Sequence, residues 1–306
     1  MVVVSADDKV RPRISVVVAS HNAGPNIADC LKAINESSVQ RDTEIIVVDN
    51  SNDGTDAIVQ QEFPSVKLVR CYQGKLIPEL WEVGIRCSRG DIVALTSAHC
   101  IPAKNWINEI SLAHHDPYAG IGGAIENDPS GGWVSWAIYF CRYSPYMLPF
   151  SARVVHDFAA DNASYKRSAL NACRSAMREG FWETFIHAEM TKSGATLLLM
   201  PAIVVYHRQS FSFAGFMRQR FRHGRRFGSE RVRHLSFSRR MALIAMSPLI
   251  PALLFFRITR RVMTRKRHFA EYFLVTPILV LFLLSWSAGE LTGYVWIHTE
   301  TRQGTV

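Results

Sequence analysis

A chain of 306 residues, 48% hydrophobic and 20% charged, has room for one large folded domain with an appendage, and its composition excludes a disordered protein. The formal charge of +9 would suit nucleic acid if it were spread out, but fifteen lysines and arginines fall between Arg218 and Arg267 against a single acid, Glu230. Basic charge segregated beside apolar runs suits an anionic membrane surface, and no nucleic-acid partner is expected.

At the start of the chain, MVVV is too short an apolar run for a signal peptide, and Asp7 and Asp8 follow it. Six cysteines, Cys30, Cys71, Cys87, Cys100, Cys141 and Cys173, form no CxxC pair, which points to a reducing cytosolic setting. The first strand is expected at Ile14 to Ser20, followed by a helix with Ile27, Leu31 and Ile34 on one face. Glu44 to Val48 then reads as a strand covered on both faces, with Asp49 at its carboxyl end and the turn residues Asn50, Ser51, Asp53 and Gly54 after it. Ligands of open α/β sheets bind at such strand ends, where a carboxylate can accept hydrogen bonds from a ribose or a base; an ordinary strand-to-helix turn would look the same.

A helix around Thr55 to Glu62, a strand at Val66 to Arg70, a helix around Pro78 to Cys87 and a strand at Ile92 to Thr96 continue the alternation. The pattern predicts a mostly parallel sheet with helices on both faces. Gly131 to Phe150 is aromatic with Arg142 its only charge, a segment fit for a lid, an acceptor groove, a membrane-facing surface or plain core.

From Phe213 the character changes. Phe213, Phe216, Met217 and Phe221 recur at helical spacing among arginines, a basic amphipathic helix suited to a membrane interface. Met241 to Phe256 is uncharged but contains Pro248 and Pro251, and Tyr272 to Gly289 is a second uncharged run that reaches spanning length with flanks through Ile297. Six basic residues between Arg257 and Arg267 separate the runs, and a full crossing by the first would put them outside. The first run is therefore expected to form a proline-broken re-entrant or interfacial hairpin and the second to span. Glu290 is then either interfacial or paired within the bundle.

Five segments, in order, give these elements a family resemblance: VVVASHNAGPNI, EIIVVDNSNDGT, GIRCSRGDIVALTSAHCIPAKNW, DNASYKRSAL and GFWETFIHAEMTKSGATLLLMPAIVVYH. Together they resemble the family 2 glycosyltransferases, inverting enzymes of the GT-A fold that use nucleotide-diphosphate sugars, and SAGELTGYVW in the tail looks like their membrane-attached bacterial members. The resemblance implies a GT-A domain (Rossmann-like α/β) over 14–210, between an N-terminal tail 1–13 and a basic amphipathic interfacial segment 211–240, with membrane helices over 241–298 and a C-terminal tail 299–306.

It also implies site residues. The donor-base pocket falls on Ala19, Ser20, Asn22, Asp49 and Ser51, and the aspartate-x-aspartate motif on Ser97, Ala98 and His99. That substitution removes the carboxylates that would hold Mn²⁺ or Mg²⁺ against the donor diphosphate, leaving His99, with His207, as imidazole metal ligands or phosphate contacts. Asp161 and Asn162 correspond to the loop lining the sugar and acceptor side. Counting eleven residues back from Gly194 places the catalytic base at Glu183, with Trp182 where a first acid would stand and Glu189 as a less favoured neighbour; a carboxylate merely stabilised at a helix start is the lesser alternative for Glu183. The expected activity is transfer of a hexose-type sugar to a lipid-linked or polysaccharide acceptor, with the catalytic domain on the cytosolic face of a bacterial plasma membrane and a role in cell-envelope polysaccharide synthesis. A noncatalytic nucleotide-sugar-binding or scaffold subunit is the alternative that Ser97 and Trp182 leave open.

Overall fold

The computed structural model describes residues 12–37, 42–208, 211–233 and 235–296. The expected C-terminal tail 299–306, and all but the last two residues of the N-terminal tail 1–13, lie outside them. The chain divides into two units: one runs to Asp128 and resumes at Tyr146, and the other joins Pro129–Pro145 to the helices from Phe211 onward. The boundary expected at 210 is thus joined by an earlier one, because the aromatic segment belongs with the C-terminal helices.

In the first unit, Ile14–Ser20 (β1), Thr43–Asp49 (β2), Lys67–Arg70 (β3) and Ile92–Ser97 (β4) alternate with helices Gly24–Ser37 (α1), Thr55–Glu62 (α2) and Ile77–Cys87 (α3). Val16, Val17, Val18, Ile46, Val47 and Val48 are all inaccessible to solvent. β-Branched runs without polar alternation fit only a strand covered on both faces, and these pair in parallel in the order β3-β2-β1-β4. Gly84 lets α3 press onto the sheet, for a Cβ there would collide with the Val17 side chain.

Beyond β4 the expectation of a mostly parallel sheet needs correcting. Cys100–Pro102 (β5), Trp106–Ala113 (α4) and Gly120–Asn127 (β6) lead to Arg153–Val155 (β7), Asn162–Lys166 (β8), Arg167–Ala172 (α6), Glu183–Lys192 (α7) and Leu197–His207 (β9). β8 runs antiparallel between β4 and β6, and β5 and β7 lie antiparallel on β9, so this half is mixed. No helical crossover precedes β8. It enters from the carboxyl-end side through a loop, which dictates the reversed direction.

The second unit contains Trp133–Tyr143 (α5), Phe213–Val232 (α8), Phe237–Met246 (α9), Ile250–Arg265 (α10) and Phe269–Val295 (α11). Of the roles open to the aromatic segment, α5 takes that of core: Trp136, Tyr139 and Phe140 are buried, and the Phe140 ring meets Tyr272 edge-on at 5.3 Å. The expected proline-broken hairpin does not form. Pro248 lies in a single 3₁₀ turn, Ser247–Leu249, and Pro251 in the first turn of α10, where a missing N–H breaks nothing, so Phe237–Arg265 is one helical segment of 29 residues.

α8 buries a face that its basic composition concealed. Gly224 and Gly228 face the backbone of Trp286 and Glu290 on α11, Gly289 and Gly293 face that of Phe221 and Arg225 on α8, and a Cβ on any of the four would strike backbone of the facing helix. Beside this contact Glu290, 3% exposed, accepts from Arg231 Nη1 at 3.0 Å, Trp286 Nε1 at 2.9 Å and the Tyr294 hydroxyl. Of the two places expected for this carboxylate, it takes the one paired within the helices. Arg220 stacks on the Trp286 ring at 4.0 Å.

Two predictions follow from this packing. Alanine outranks glycine by about 1 kcal/mol in an exposed helix, yet Gly224→Ala and Gly289→Ala are each expected to lower stability by about 1–3 kcal/mol through overpacking. Gly132→Ala, which meets open space at the N-cap of α5, should cost only about 0.5 kcal/mol, the capping preference alone; thermal unfolding in detergent would compare the three. In the first unit, His114 at the end of α4 is buried against Ser164 Oγ at 2.9 Å, and burial followed by the charge of Lys166 holds its pKa down to about 4 from 6.5. The unfolded chain therefore binds the extra proton first as pH falls from about 6.5 to 4, removing at most about 3 kcal/mol. His114→Gln should flatten denaturant midpoints measured across that window.

Candidate functional site

Strand register assembles the site. Ser20 stands opposite Asp49, Ala19 opposite Ser97, and Thr96 opposite Asn162, so the carboxyl ends of β2, β1 and β4 and the start of β8 lie side by side. The ladder continues past β4 with Ala98 N–H donating to the Ala19 carbonyl at 3.0 Å. The sequence-predicted donor-pocket and motif residues therefore share one edge of the sheet.

At the β2 end Asp49 is 2% exposed and accepts from Ser51 N–H at 3.2 Å and Ser51 Oγ at 2.5 Å. Ser51 Oγ in turn accepts from the Asn22 N–H at 2.7 Å, while Asn22, at φ 50°, accepts from the Asn52 N–H at 3.1 Å. Asn22, Ser51 and Asp49 thus form one chain of hydrogen bonds across two loops. Ser20 Oγ is buried there with no hydrogen-bond partner, an unmet hydroxyl at the strand end. Sequence reasoning missed His21, whose Nδ1 is 2.8 Å from Asn50 Oδ1, while Asn50 Nδ2 donates to the Lys75 carbonyl at 2.8 Å. The turn composition signalled these residues without showing that they bind one another.

At the β4 end Ser97 Oγ donates to Asp161 Oδ1 at 2.9 Å, and Thr96 Oγ1 donates to the Asp161 backbone carbonyl at 3.0 Å. A carboxylate missing from the motif in sequence therefore stands beside it in space. Asn162 takes a different place from the one expected. Its carbonyl accepts from Trp106 Nε1 at 2.8 Å and its amide donates to the Ala124 and Ile203 carbonyls at 2.8 and 3.0 Å, so this buried side chain is spent on bracing β8, β6 and β9. Gly123, at a β-bulge, leaves the room it needs.

His99 and His207 are both buried at this edge, and Cys100, next to His99, pairs with His207 across β5 and β9. His99 Nδ1 is 3.3 Å from Asn26 Nδ2, and Arg208 N–H donates to the His99 carbonyl at 2.7 Å. Arg208 is held by Asp128 at 2.6 Å and Asp29 at 2.5 Å, which fixes the end of β9. Among the described residues no three His, Cys, Asp or Glu side chains converge as a metal cage. The donor set does not fit a metal site built by protein alone. All six cysteines are free.

Glu183 is the first residue of α7 and partly exposed. Its approach is set by Gly180, at φ 108°, and by Phe181, whose N–H donates to the Pro78 carbonyl at 2.7 Å. One turn below, sequence reasoning missed a brace around the buried His187: its Nδ1 is 2.6 Å from Oδ1 of the exposed Asp157 and its Nε2 is 2.7 Å from the Tyr165 hydroxyl. Thr184 Oγ1 donates to the other Asp157 oxygen at 3.0 Å. Burial, then the nearby Glu183 and Asp157 charges, push the Tyr165 phenol well above its ordinary pKa, so it stays neutral. The four-residue step from Glu183 to His187 was the available signal; Asp157 is too distant in sequence to have been paired with it. Glu189 is exposed on α7, beyond this brace.

The sequence model of Glycosyl transferase family 2 matches residues 15–174. Among solved structures, the mannosyltransferase PcManGT from Pyrobaculum calidifontis, in complex with GDP-Man and Mn²⁺, is similar at a TM-score of 0.53 and 19% identity, over 94% of this chain and 89% of that chain. At that identity the likeness speaks for the fold. No curated protein sequence matches. With the family model covering more than half of the chain, and a mixed α/β sheet like that of a GT-A enzyme, the chain belongs to glycosyl transferase family 2 and is a glycosyltransferase.

Proposed function

We propose that this glycosyltransferase takes a sugar from a nucleoside-diphosphate donor and passes it, with inversion, to a hydroxyl or phosphate of a lipid-linked or polysaccharide acceptor at the cytosolic face of a membrane. The observation that carries the donor assignment is the register that sets Asp49, Ser20 and Ser97 along one sheet edge, with Asp161 against Ser97. Asp49 would accept hydrogen bonds from the nucleoside, in the crevice where open α/β sheets bind such ligands. The mannosyltransferase relative, solved with GDP-Man, makes a nucleotide sugar the natural donor class.

Glu183 takes the part of general base. The acceptor O–H gives its proton to the Glu183 carboxylate as the oxygen bonds to the anomeric carbon; the bond from that carbon to the diphosphate oxygen breaks on the opposite face, and its electron pair leaves with the nucleotide. Glu183 stands in the first turn of α7, where a helix N-terminus favours a carboxylate. The His187 brace holds the first turn of α7 under it. Asp161 would lie toward the transferred sugar.

A divalent cation such as Mn²⁺ or Mg²⁺ is in keeping with the family. Lacking a protein cage, it would draw most of its ligands from phosphate oxygens and water, with His99 and His207 the imidazoles at that edge. The membrane assignment draws on two helices long and apolar enough to cross and on the arginines around them. An acceptor that is itself lipid-bound fits an enzyme so attached.

Two measurements test these roles. Glu183→Gln should lower sugar transfer by about 10²- to 10⁴-fold while leaving donor affinity within twofold by calorimetry; undiminished transfer would remove Glu183 from the reaction. Titrating nucleoside diphosphates into Asp49→Asn should show binding weakened by about tenfold or more, a larger change than withholding Mn²⁺ produces in the native protein. Equal affinity in the two proteins would disprove the role of Asp49.

A further inference from the structure

The helices of the second unit have a membrane geometry that their hydropathy does not reveal. α8 runs parallel to α11: Phe216 meets Phe282 with ring centroids 4.7 Å apart, Ser285 Oγ donates to the Met217 carbonyl at 2.8 Å, and Ser229 Oγ donates to the Gly293 carbonyl at 3.4 Å. α8 therefore accompanies α11 from Phe282 to its end. α8 also exposes the side chains of Arg218, Arg222 and Arg225, the last of which has its backbone against Gly289 and Gly293 of α11.

If α11 stood across a bilayer, those arginines would enter the hydrocarbon beside it, without partners suited to that depth. The stretch free of α8, Phe269 to Leu281, has 13 residues and reaches only about 20 Å at the helical rise, short of a hydrocarbon core of about 30 Å. The preceding helical segment lies antiparallel along the same helix. Arg240 donates to the Tyr294 and Val295 carbonyls at 2.6 and 2.7 Å at one end, and Thr259 meets the Tyr272 hydroxyl at 2.5 Å at the other. Arg257 and Arg260 are exposed on α10.

Large apolar side chains nevertheless remain uncovered on both helices, among them Leu253, Phe256, Phe273, Leu274, Leu281 and Leu284. Apolar surface of this kind on helices rich in exposed arginine matches a single leaflet with anionic headgroups, which takes the side chains to shallow depth and leaves the guanidiniums among phosphates. We propose that neither helix crosses: the α9–α10 segment and α11 lie along one leaflet of an anionic membrane, and the protein is monotopic. This corrects the expectation that Tyr272 to Gly289 spans, and it keeps Arg257 to Arg267 on the side of the glycosyltransferase domain, as the positive-inside rule prefers. It rests on the membrane reading above and is independent of the reaction.

The experiment is accessibility in sealed vesicles whose glycosyltransferase domain faces the lumen. Full-length Thr264→Cys and Trp296→Cys proteins, both at exposed positions, are treated with a membrane-impermeant maleimide, and labelling of the native cysteines is subtracted. Each is expected to take up less than one-tenth of the label it accepts once the vesicles are opened. Full labelling of Thr264→Cys in sealed vesicles would mean that both helices cross, and of Trp296→Cys alone that α11 crosses; either overturns the proposal. Unsubstituted protein supplies an independent measure, since external trypsin should leave the chain uncut between Arg257 and Arg267. Recovery of the protein in the soluble fraction without detergent would instead overturn the membrane reading itself.

Discussion

Every candidate residue of the donor site hangs on the pairing of β1 with β2 on one side and β4 on the other. A parallel strand buried on both faces can be shifted by one residue only by turning each side chain to the opposite face, so the packed valines of β1 hold the register firmly. A one-residue slip would also carry Asp49 about 3.3 Å along the sheet and separate it from Ser20. The loops beyond the strands are then locked together by Asp53. Its carboxylate accepts from Gly24 N–H at the start of α1 and from Thr55 N–H and Oγ1 at the start of α2, at 3.0, 3.2 and 2.5 Å. Partial burial works against its charge, but these hydrogen bonds outweigh it and hold its pKa below the usual carboxylate range. One exposed side chain thereby ties both helix starts that flank Asp49, which makes the donor loops a single rigid part.

The edge proposed for the diphosphate is constructed differently. In Ser97-Ala98-His99 the strand itself brings no carboxylate, and the nearest acid comes from the residue before β8, across the ladder, as a hydrogen-bond partner of Ser97. Negative charge at this edge therefore stands one strand farther along the sheet than in an aspartate-x-aspartate arrangement, and the imidazole of His99 faces Asn26 of α1. A diphosphate bound there as proposed would meet one carboxylate, Asp161, where an aspartate-x-aspartate motif presents two, and would rely less on a cation to offset repulsion. The proposed base shows the same economy: Trp182 replaces the first acid, and the hydrogen bonds of Asp157, His187 and Thr184 set the position of α7 instead.

The parts of this architecture legible in the sequence are those encoded locally. β1 at Ile14–Ser20 and α2 at Thr55–Glu62 match their expected bounds, because valine runs and turn residues act over a few neighbours. The reversed direction of β8 was not legible, since strand direction depends on where the preceding loop crosses the sheet and no residue type reports that. Asn162 illustrates the limit at the site. Its type and place in the motif suggested the sugar side, whereas Trp106, Ala124 and Ile203, all remote in sequence, claim its hydrogen bonds. The Asp157 brace escaped notice for the same reason. Pro248 and Pro251 misled in the other direction, because a proline's effect depends on whether it lies inside a helix or in its first turn.

The second unit poses a physical problem whose answer links its glycines to its arginines. A helix with arginine at five of the nine positions from 218 to 226 has little surface on which to pack by ordinary side-chain interdigitation. Gly224 and Gly228, four residues apart, clear one narrow seam, and Gly289 and Gly293 clear the matching seam on α11, so that the two backbones meet directly. Contact of this kind needs only a narrow apolar stripe on α8, Phe216 against Phe282 and Phe227 against Trp286, which leaves more of its circumference for charge. The cost is that polar groups on α11 are drawn close to the seam, Glu290 foremost. An unpaired carboxylate there would be strongly destabilising, and three donors, from Arg231, Trp286 and Tyr294, remove that penalty. Because the donor from α8 is itself an arginine, the residue type that makes the helix basic also fastens it, while Arg218, Arg222 and Arg225 keep their side chains exposed.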